Sequence, residues 1–198
     1  MKVGVLSLQG DVREHVSALI ACGINPVEVR RESELAEVDA LVLPGGESTT
    51  IAQLSEIFGI FEPIKQRIAA GMPVYGSCAG MILLADQILD AKQGQKTFGG
   101  LDITVRRNAF GRQVDSFETD ITFDDGSSEL IKAVFIRAPW VEKVGAGITV
   151  LASVDSHPVA VRSATLLATS FHPELTADHR IHRYFIEEVA KPALEKVK

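Results

Sequence analysis

Two glycines bracket a cysteine in the run Gly76-Ser77-Cys78-Ala79-Gly80. This is the spacing of a nucleophile elbow, with cysteine in the serine position. An apolar run, Pro73–Tyr75, precedes it, and a segment that reads as helix, Ala79–Leu89, follows. A sharp strand-to-helix turn strains the central backbone and leaves no space for side chains on either side, which glycine resolves. Such a turn lifts the sulfur clear of a sheet and sets it at the positive end of a helix, where thiolate is favoured. The backbone N–H of Ala79 is then placed to donate to a developing oxyanion. A lone cysteine in a Gly-rich turn is otherwise a small buried apolar residue. Strand, glycines and helix together favour the nucleophile.

A nucleophilic thiol needs an imidazole to carry protons, and the imidazole needs a group that fixes its tautomer. Phe171-His172-Pro173-Glu174 follows the apolar run Leu166–Ser170 and offers both. Pro173 disfavours the α region for His172 and keeps the segment extended. Residues two apart then project the same way, so His172 and Glu174 share a side. Alone, His-x-Glu is a weak signal; its value comes from the elbow.

The third loop is Leu43-Pro44-Gly45-Gly46-Glu47-Ser48-Thr49-Thr50. No Gly-Lys-Ser/Thr follows the glycines, which argues against a phosphate-binding P-loop. A Gly-Gly turn instead offers a second N–H to an oxyanion or lets a substrate approach the backbone. Ser48 reads as a helix cap, as it would in a plain Gly-rich turn.

The elements that must hold these loops alternate in type. Apolar strand runs at Val3–Leu8, Pro26–Arg30, Ala40–Leu43 and Pro73–Tyr75 are separated by helical periodicities. One of these starts at Asp11 and ends at Gly23, with Val12, His15, Val16, Leu19 and Ile20 on one face. A second carries Ile51, Leu54, Ile57 and Phe58, and a third covers about Pro63–Ala70. The second half is richer in strand signals, at Leu101–Val105, Phe117–Phe123, Ala133–Ile136, Ile148–Val154, Val159–Val161 and Leu166–Phe171. A last helix spans about Asp178–Val189. The expected fold is α/β: a three-layer sandwich with a mostly parallel central sheet, helices on both faces and added antiparallel strands. In open parallel sheets the site lies at the carboxyl ends of the strands, where all three loops fall.

Composition sets the outer limits. The chain has 198 residues, 46% hydrophobic and 23% charged, which excludes an intrinsically disordered protein. A chain this long hides roughly 70% of its potential surface without needing staples. With no linker or repeat visible, residues 1–198 are expected to form a single domain. The net charge of −6 argues against a general nucleic-acid binder. No apolar stretch approaches the ~20 residues of a membrane span, and the N-terminus lacks a signal-peptide pattern, so a cytoplasmic location is expected. Cys22 and Cys78 are expected to be free thiols, with Cys22 in the core. No metal or cofactor is expected, because neither cysteine lies in a Cys-x-x-Cys pair and the histidines lack zinc-finger spacing.

With these loops in hand, the chain resembles the class I (triad) glutamine amidotransferases, and among them the glutaminase subunits of pyridoxal 5′-phosphate synthases. The matching stretches are Val5–His15, Leu43–Ile51, Pro73–Leu84, Arg107–Glu118, Val134–Pro139 and Ser170–Arg180. The blocks Arg107-Asn108-Ala109-Phe110-Gly111-Arg112-Gln113 and Phe135-Ile136-Arg137-Ala138-Pro139 are more specific than the elbow. Residues 90–100 and 140–165 match weakly. The family usually has Thr before the nucleophile where this chain has Ser77.

The resemblance implies a glutaminase that hydrolyses L-glutamine to glutamate and ammonia, within a complex whose synthase (lyase-type) subunit uses the ammonia to build pyridoxal phosphate, vitamin B6. It implies Cys78 as nucleophile, with His172 and Glu174 completing the triad. Gly46, Glu47, Ser48, Arg107, Ile136 and Arg137 are implied to line the glutamine site, and the N–H groups near Gly46 and Ala79 to form the oxyanion hole. Arg107 or Arg137 suits a substrate carboxylate. Gln9 and His15 are implied to face the synthase subunit, with Gln9 arranging the oxyanion loop on docking. Without the resemblance His15 reads as a helix histidine, partly buried. The isolated subunit is expected to be a poor glutaminase, gated at the Gly45-Gly46 peptide.

The remaining candidates read as ordinary structure. His157 is expected in a turn, His179 and His182 as solvated helix residues, and Arg30-Arg31 with Glu32 and Glu34 as a solvated charge cluster. Two other functions compete. One is another Cys-elbow hydrolase, a peptidase or γ-glutamyl hydrolase; the other is a non-catalytic partner-binding module on the same fold.

Overall fold

The computed structural model describes residues 1–107 and 116–196. The first half runs β1 (Val3–Leu6), α1 (Val12–Ala21), β2 (Val27–Val29), α2 (Glu32–Ala36), β3 (Ala40–Leu43), α3 (Ser48–Ile57), α4 (Phe61–Ala69), β4 (Val74–Ser77) and α5 (Ala79–Leu84). The second half runs β5 (Ala85–Leu89), β6 (Leu101–Arg106), β7 (Ser116–Ile121), β8 (Ile131–Ile136), β9 (Trp140–Val144), β10 (Thr149–Val154), β11 (His157–Arg162) and β12 (Leu166–Thr169). A 3-10 turn (Pro173–Leu175), α6 (Arg180–Tyr184), a π-helical stretch (Phe185–Ala190) and α7 (Lys191–Glu195) complete it. Residues 108–113 of the Arg107–Gln113 block lie outside the described residues.

Seven strands form the central sheet in the order β10-β11-β12-β4-β3-β1-β2. The pairs from β12 to β2 are parallel, and β11 and β10 add an antiparallel edge. The inner parallel strands β1, β3, β4 and β12 are buried on both faces, which is why β1 and β3 read as apolar runs such as Ala-Leu-Val-Leu. Alternation sends Leu6, Leu41, Leu43, Val74 and Leu166 to one core, shared with Leu35 of α2, Ile51 of α3, Ile64 of α4 and Met81 of α5. Val3, Val5, Val42, Tyr75 and Leu167 face the other core, shared with Leu19 of α1, Ile181 of α6, Phe185 and the β7–β8 pair. Helices therefore cover both faces, as the alternating sequence predicts. Truncating a buried member such as Leu41 to Ala would cost ~2–5 kcal/mol.

Several local expectations fail for physical reasons. The helix after Cys78 stops at Leu84 rather than Leu89, because Ala85–Leu89 turns into a strand that pairs in parallel with β6. The helix expected to begin with a Ser48 cap is instead capped by Glu47, whose carboxylate accepts from the Thr50 N–H at 2.7 Å. Arg30, Arg31 and Glu32 are exposed, as expected of a solvated charge cluster, and Glu34 in addition accepts from the N–H groups of Arg30 and Arg31 and starts α2. His157 does not lie in a turn. Asp155 and Ser156, both at positive φ, make the turn, and His157 opens β11 with its ring stacked 3.7 Å from that of Trp140. Cys22 and Cys78 are free thiols, and Cys22 is only partly buried, at the edge of the second core. Among the described residues, no helix is long and apolar enough to cross a membrane.

Candidate active site

Cys78 sits at the junction of β4 and α5 with φ of +48° and ψ of −99°. A non-glycine residue in that region is strained and needs support. Support comes from both sides: the Cys78 N–H donates to the Thr169 carbonyl of β12 at 2.8 Å, and close backbone packing surrounds the turn. A Cβ on Gly76 would lie 2.5 Å from the Gly80 backbone, and one on Gly80 would lie 2.4 Å from the Leu43 carbonyl oxygen. The two glycines are needed because β4, α5 and the end of β3 pack backbone to backbone. The sulfur lies 3.9 Å from the Ile136 carbonyl and lines a cavity of about 410 Å³.

His172 approaches from the end of β12. Its Nδ1 lies 2.8 Å from Glu174 Oε1 and 3.3 Å from Asp11 Oδ2. Its Nε2 is buried with no hydrogen-bond partner among the described residues, which leaves that nitrogen for the neighbouring Cys78. Gly45 makes the fit possible, since a Cβ there would meet His172 Cε1 at 2.4 Å. The segment after His172 is not extended as expected. Pro173 opens a 3-10 turn, and that turn, rather than strand alternation, brings the Glu174 carboxylate back under the ring.

The electrostatics follow from burial and partners. Burial would lower the His172 pKa, but Asp11, Cys78 and Glu174 outweigh it and push it up to about 12. Burial would raise that of Glu174, but His15 and His172 hold it well below the usual carboxylate range. Glu47 is opposed by partial burial and still drops to about 2, through the N–H and hydroxyl of Thr50 and the ammonium of Lys92.

Gly46, Glu47, Ser48, Arg107, Ile136 and Arg137 all line the same cavity as Cys78, Ala79 and His172. Arg107 Nη2 lies 3.1 Å from Glu47 Oε1, and its Nη1 donates to Gln95 Oε1 at 2.6 Å. Arg137 holds φ of +44° at the end of β8 and makes no ion pair among the described residues. Gln9 belongs to the cavity too, where its Oε1 accepts the Glu47 N–H at 2.9 Å. It also lines a neighbouring hollow of about 630 Å³ with Arg13, Glu28 and Arg30.

Two histidines are elsewhere than expected. His15, implied to face a partner, is 0% exposed and lies behind Glu174. His182, expected in solvent, is also 0% exposed, and its Nε2 lies 2.9 Å from His15 Nδ1. Burial and the nearby His15 drive its pKa down to about 3. The helix spacing of His179 and His182 gives no hint of this, because the partner of His182 comes from the first helix, which packs on the same face of the sheet but lies far away in sequence.

Spacing also missed Asp11, Ile82, Lys92 and Gln95. Lys92 Nζ lies 3.3 Å from Glu47 Oε1, and Gln95 Nε2 donates to Ser48 Oγ at 3.0 Å. Asp11, His172 and Glu174 bring potential metal-ligand atoms within 4.8 Å of one another. Both carboxylates face His172 Nδ1, which contacts Glu174 at 2.8 Å and Asp11 at 3.3 Å.

The SNO glutamine amidotransferase family matches residues 5–191. A pyridoxal 5′-phosphate synthase subunit PdxT from Parafrankia sp. (strain EAN1pec) is 62% identical over 188 residues, covering 95% of this chain and 93% of that one. The protein of the same name from Streptomyces coelicolor is 60% identical over 187 residues, covering 94% and 93%. A crystal structure described as a glutamine amidotransferase superposes with a TM-score of 0.88 at 47% identity, covering 96% of this chain and 98% of its own. A putative GMP synthase protein from Thermoplasma acidophilum shares the fold, with a TM-score of 0.69 at 20% identity and coverage of 100% and 98%.

Proposed function

The chain belongs to the SNO glutamine amidotransferase family, and on that premise we propose that Cys78, His172 and Glu174 form the triad of a glutaminase that hydrolyses L-glutamine. In this reading the chain is the glutaminase subunit of a pyridoxal 5′-phosphate synthase: its relatives are named as subunits of that synthase, and the family description supplies the glutamine amidotransferase role. It works in the cytoplasm as a single glutaminase domain, in a hetero-oligomer with a synthase subunit that consumes the ammonia.

One observation carries the reading. A strained cysteine at a strand–helix junction shares its cavity with an imidazole whose other nitrogen lies 2.8 Å from a buried carboxylate. The thiolate attacks the side-chain amide carbon of glutamine, and the carbonyl electrons move to oxygen. The N–H groups near Gly46 and Ala79 stabilise that oxyanion; removing one such donor costs ~2.7–4 kcal/mol of barrier. Its collapse breaks the C–N bond, and His172 supplies the proton with which ammonia leaves. His172 then takes a proton from water, which attacks the glutamyl thioester and frees glutamate and Cys78.

Charge complementarity orients the substrate. The glutamine α-ammonium lies against Glu47, and its α-carboxylate faces the guanidinium groups. Arg107 is already engaged by Glu47 and Gln95, whereas Arg137 makes no ion pair among the described residues, so Arg137 supplies the cation for the carboxylate. The test is ammonia and glutamate release from free L-glutamine, with and without the synthase subunit. Turnover raised by the partner supports the reading. Cleavage of γ-glutamyl peptides without glutamine hydrolysis would favour the hydrolase alternative, and no turnover of either would favour a binding module.

A further inference from the structure

Behind the triad lies a second line of polar groups that the reaction scheme leaves unused. Glu174 is 6% exposed, and its Oε2 has no hydrogen-bond partner among the described residues. All of its contacts converge on Oε1. His172 Nδ1 lies 2.8 Å away, Ser77 Oγ donates at 3.2 Å, and His15 Nε2 lies at 3.4 Å. His15 Nε2 is also 2.9 Å from Ser77 Oγ. Because Ser77 gives its proton to Glu174, the serine oxygen accepts from His15, which fixes the proton on His15 Nε2. On the far side, His15 Nδ1 meets His182 Nε2 at 2.9 Å, a spacing that holds one proton between two rings. Tyr75 closes the group, its ring edge-on to both imidazoles and its hydroxyl 2.9 Å from Thr169 Oγ1.

We propose that Ser77 and His15 are positioning residues of the glutaminase reaction, which act through Glu174 by holding its Oε1 on His172 Nδ1. The inference rests on the triad reading above. A carboxylate this deeply buried, with one oxygen unpartnered, is free to rotate unless something selects an oxygen. The Ser77 hydroxyl that donates to Oε1, itself oriented by the His15 Nε2–H that lies 3.4 Å from the same oxygen, makes that selection and favours the ionised form. An ionised, fixed Oε1 keeps the Nδ1–H tautomer of His172, so Nε2 stays directed at the sulfur. A comparable role is played by the groups that orient metal-ligating histidines, whose loss typically costs 10–100-fold. His15 is thus tied to the catalytic centre from the first helix, 62 positions before Ser77 in sequence.

The charged and titratable groups around Glu174 are His172 on its own turn, Tyr75 and Ser77 with Cys78 on the elbow, His15 on α1, His182 on α6, and Asp11 through His172. Removing a donor leaves burial less opposed, so the carboxyl protonates at higher pH. The acid limb of kcat/KM therefore moves upward.

The test uses the full chain with its synthase partner and two matched pairs of variants, Ser77→Ala with Ser77→Thr, and His15→Leu with His15→Gln. Threonine keeps the hydroxyl, and the glutamine amide replaces the Nε2–H donor. Ser77→Ala and His15→Leu are expected to lower kcat by about 10–100-fold. The KM for glutamine should stay within about twofold, and the acid limb should rise. Ser77→Thr and His15→Gln should recover most of the rate. Wild-type turnover, abolished in Cys78→Ala, tests the triad reading separately. If turnover is intact but Ser77→Ala keeps its kcat and acid limb, or if Thr rescues no better than Ala, the positioning role is overturned. Ser77→Ala removes only one oxygen, so it decides the matter even where His15→Leu fails to fold.

Discussion

The side-chain oxygen of Gln9 accepts the backbone N–H of Glu47 at 2.9 Å, tying the loop after β1 to the Gly45-Gly46 turn that borders the catalytic cavity. A second tie runs parallel to it, from the Asp11 N–H to the Gly45 carbonyl at 3.1 Å. Gly46 has φ of +149°, and a Cβ there would meet Gln9 Oε1 at 2.6 Å. A glycine-rich turn held by one replaceable side-chain acceptor can be reset by a partner that touches the β1 loop. Gln9→Ala should therefore reduce the ratio of glutaminase rates measured with and without the synthase subunit by several-fold. Full retention of that ratio would separate Gln9 from gating.

Glu47 meets the substrate cavity with its pKa at about 2, so it is anionic throughout the working range. A hydrogen bond to a charged group contributes roughly 1.5–3 kcal/mol. Glu47→Gln is expected to raise KM for glutamine about 10–100-fold, with kcat changed far less. Steady-state kinetics in the complex would read this split. A loss confined to kcat would place Glu47 outside ground-state binding.

Stability should peak near pH 6.5 and fall on both sides. His182, neutral and buried with its pKa at about 3, is charged in the unfolded chain below about 6.5. The unfolded state then binds the extra proton, and stability is lost as pH falls through that window at ~1.4 kcal/mol per unit. Glu174, depressed in the folded state, adds to the acid loss below about 4.3. His172 works oppositely: raised to about 12, it contributes stability fully present below about 6.5 that is lost as pH rises toward that value. Urea midpoints across pH would show the peak, and His182→Leu should flatten the slope between about pH 6.5 and 4.5. An unchanged acid slope in that variant would mean His182 is not the titrating group.

The elbow has no spare volume. A methyl at Gly80 would sit 2.4 Å from the Leu43 carbonyl, which is backbone and cannot step aside. Gly80→Ala should cost about 1–3 kcal/mol or more in stability, with a larger loss of activity as the Cys78 turn shifts. Thermal melting and glutaminase assays together would check both; a variant of wild-type stability and rate would remove the packing argument.

Much of this site is legible in the sequence because its signals are local. Gly76-Ser77-Cys78-Ala79-Gly80 shows its turn within five residues, and His172 and Glu174 are separated by one proline. The alternating apolar runs likewise reveal the parallel sheet, since a strand buried on both faces cannot hide polar residues. What is illegible is whatever the sheet brings together from afar. His15 and His182 are 167 positions apart and meet at 2.9 Å, yet each looks like an ordinary helix residue in its own segment. The end of α5 is equally hidden. Ala85–Leu89 continues an apolar helical pattern, and only pairing with β6, a dozen or more residues later, makes it a strand. Lys92 and Gln95 come from a stretch that matches the family weakly, and only the fold carries them to Glu47 and Ser48.

Glutamine hydrolysis by Cys78→Ala in the presence of the synthase subunit tests the central claim most directly. Ammonia release should fall by at least about three orders of magnitude, as for a lost nucleophile, while the variant still folds and binds its partner. Turnover near the wild-type rate in a folded, partner-bound Cys78→Ala protein would contradict it.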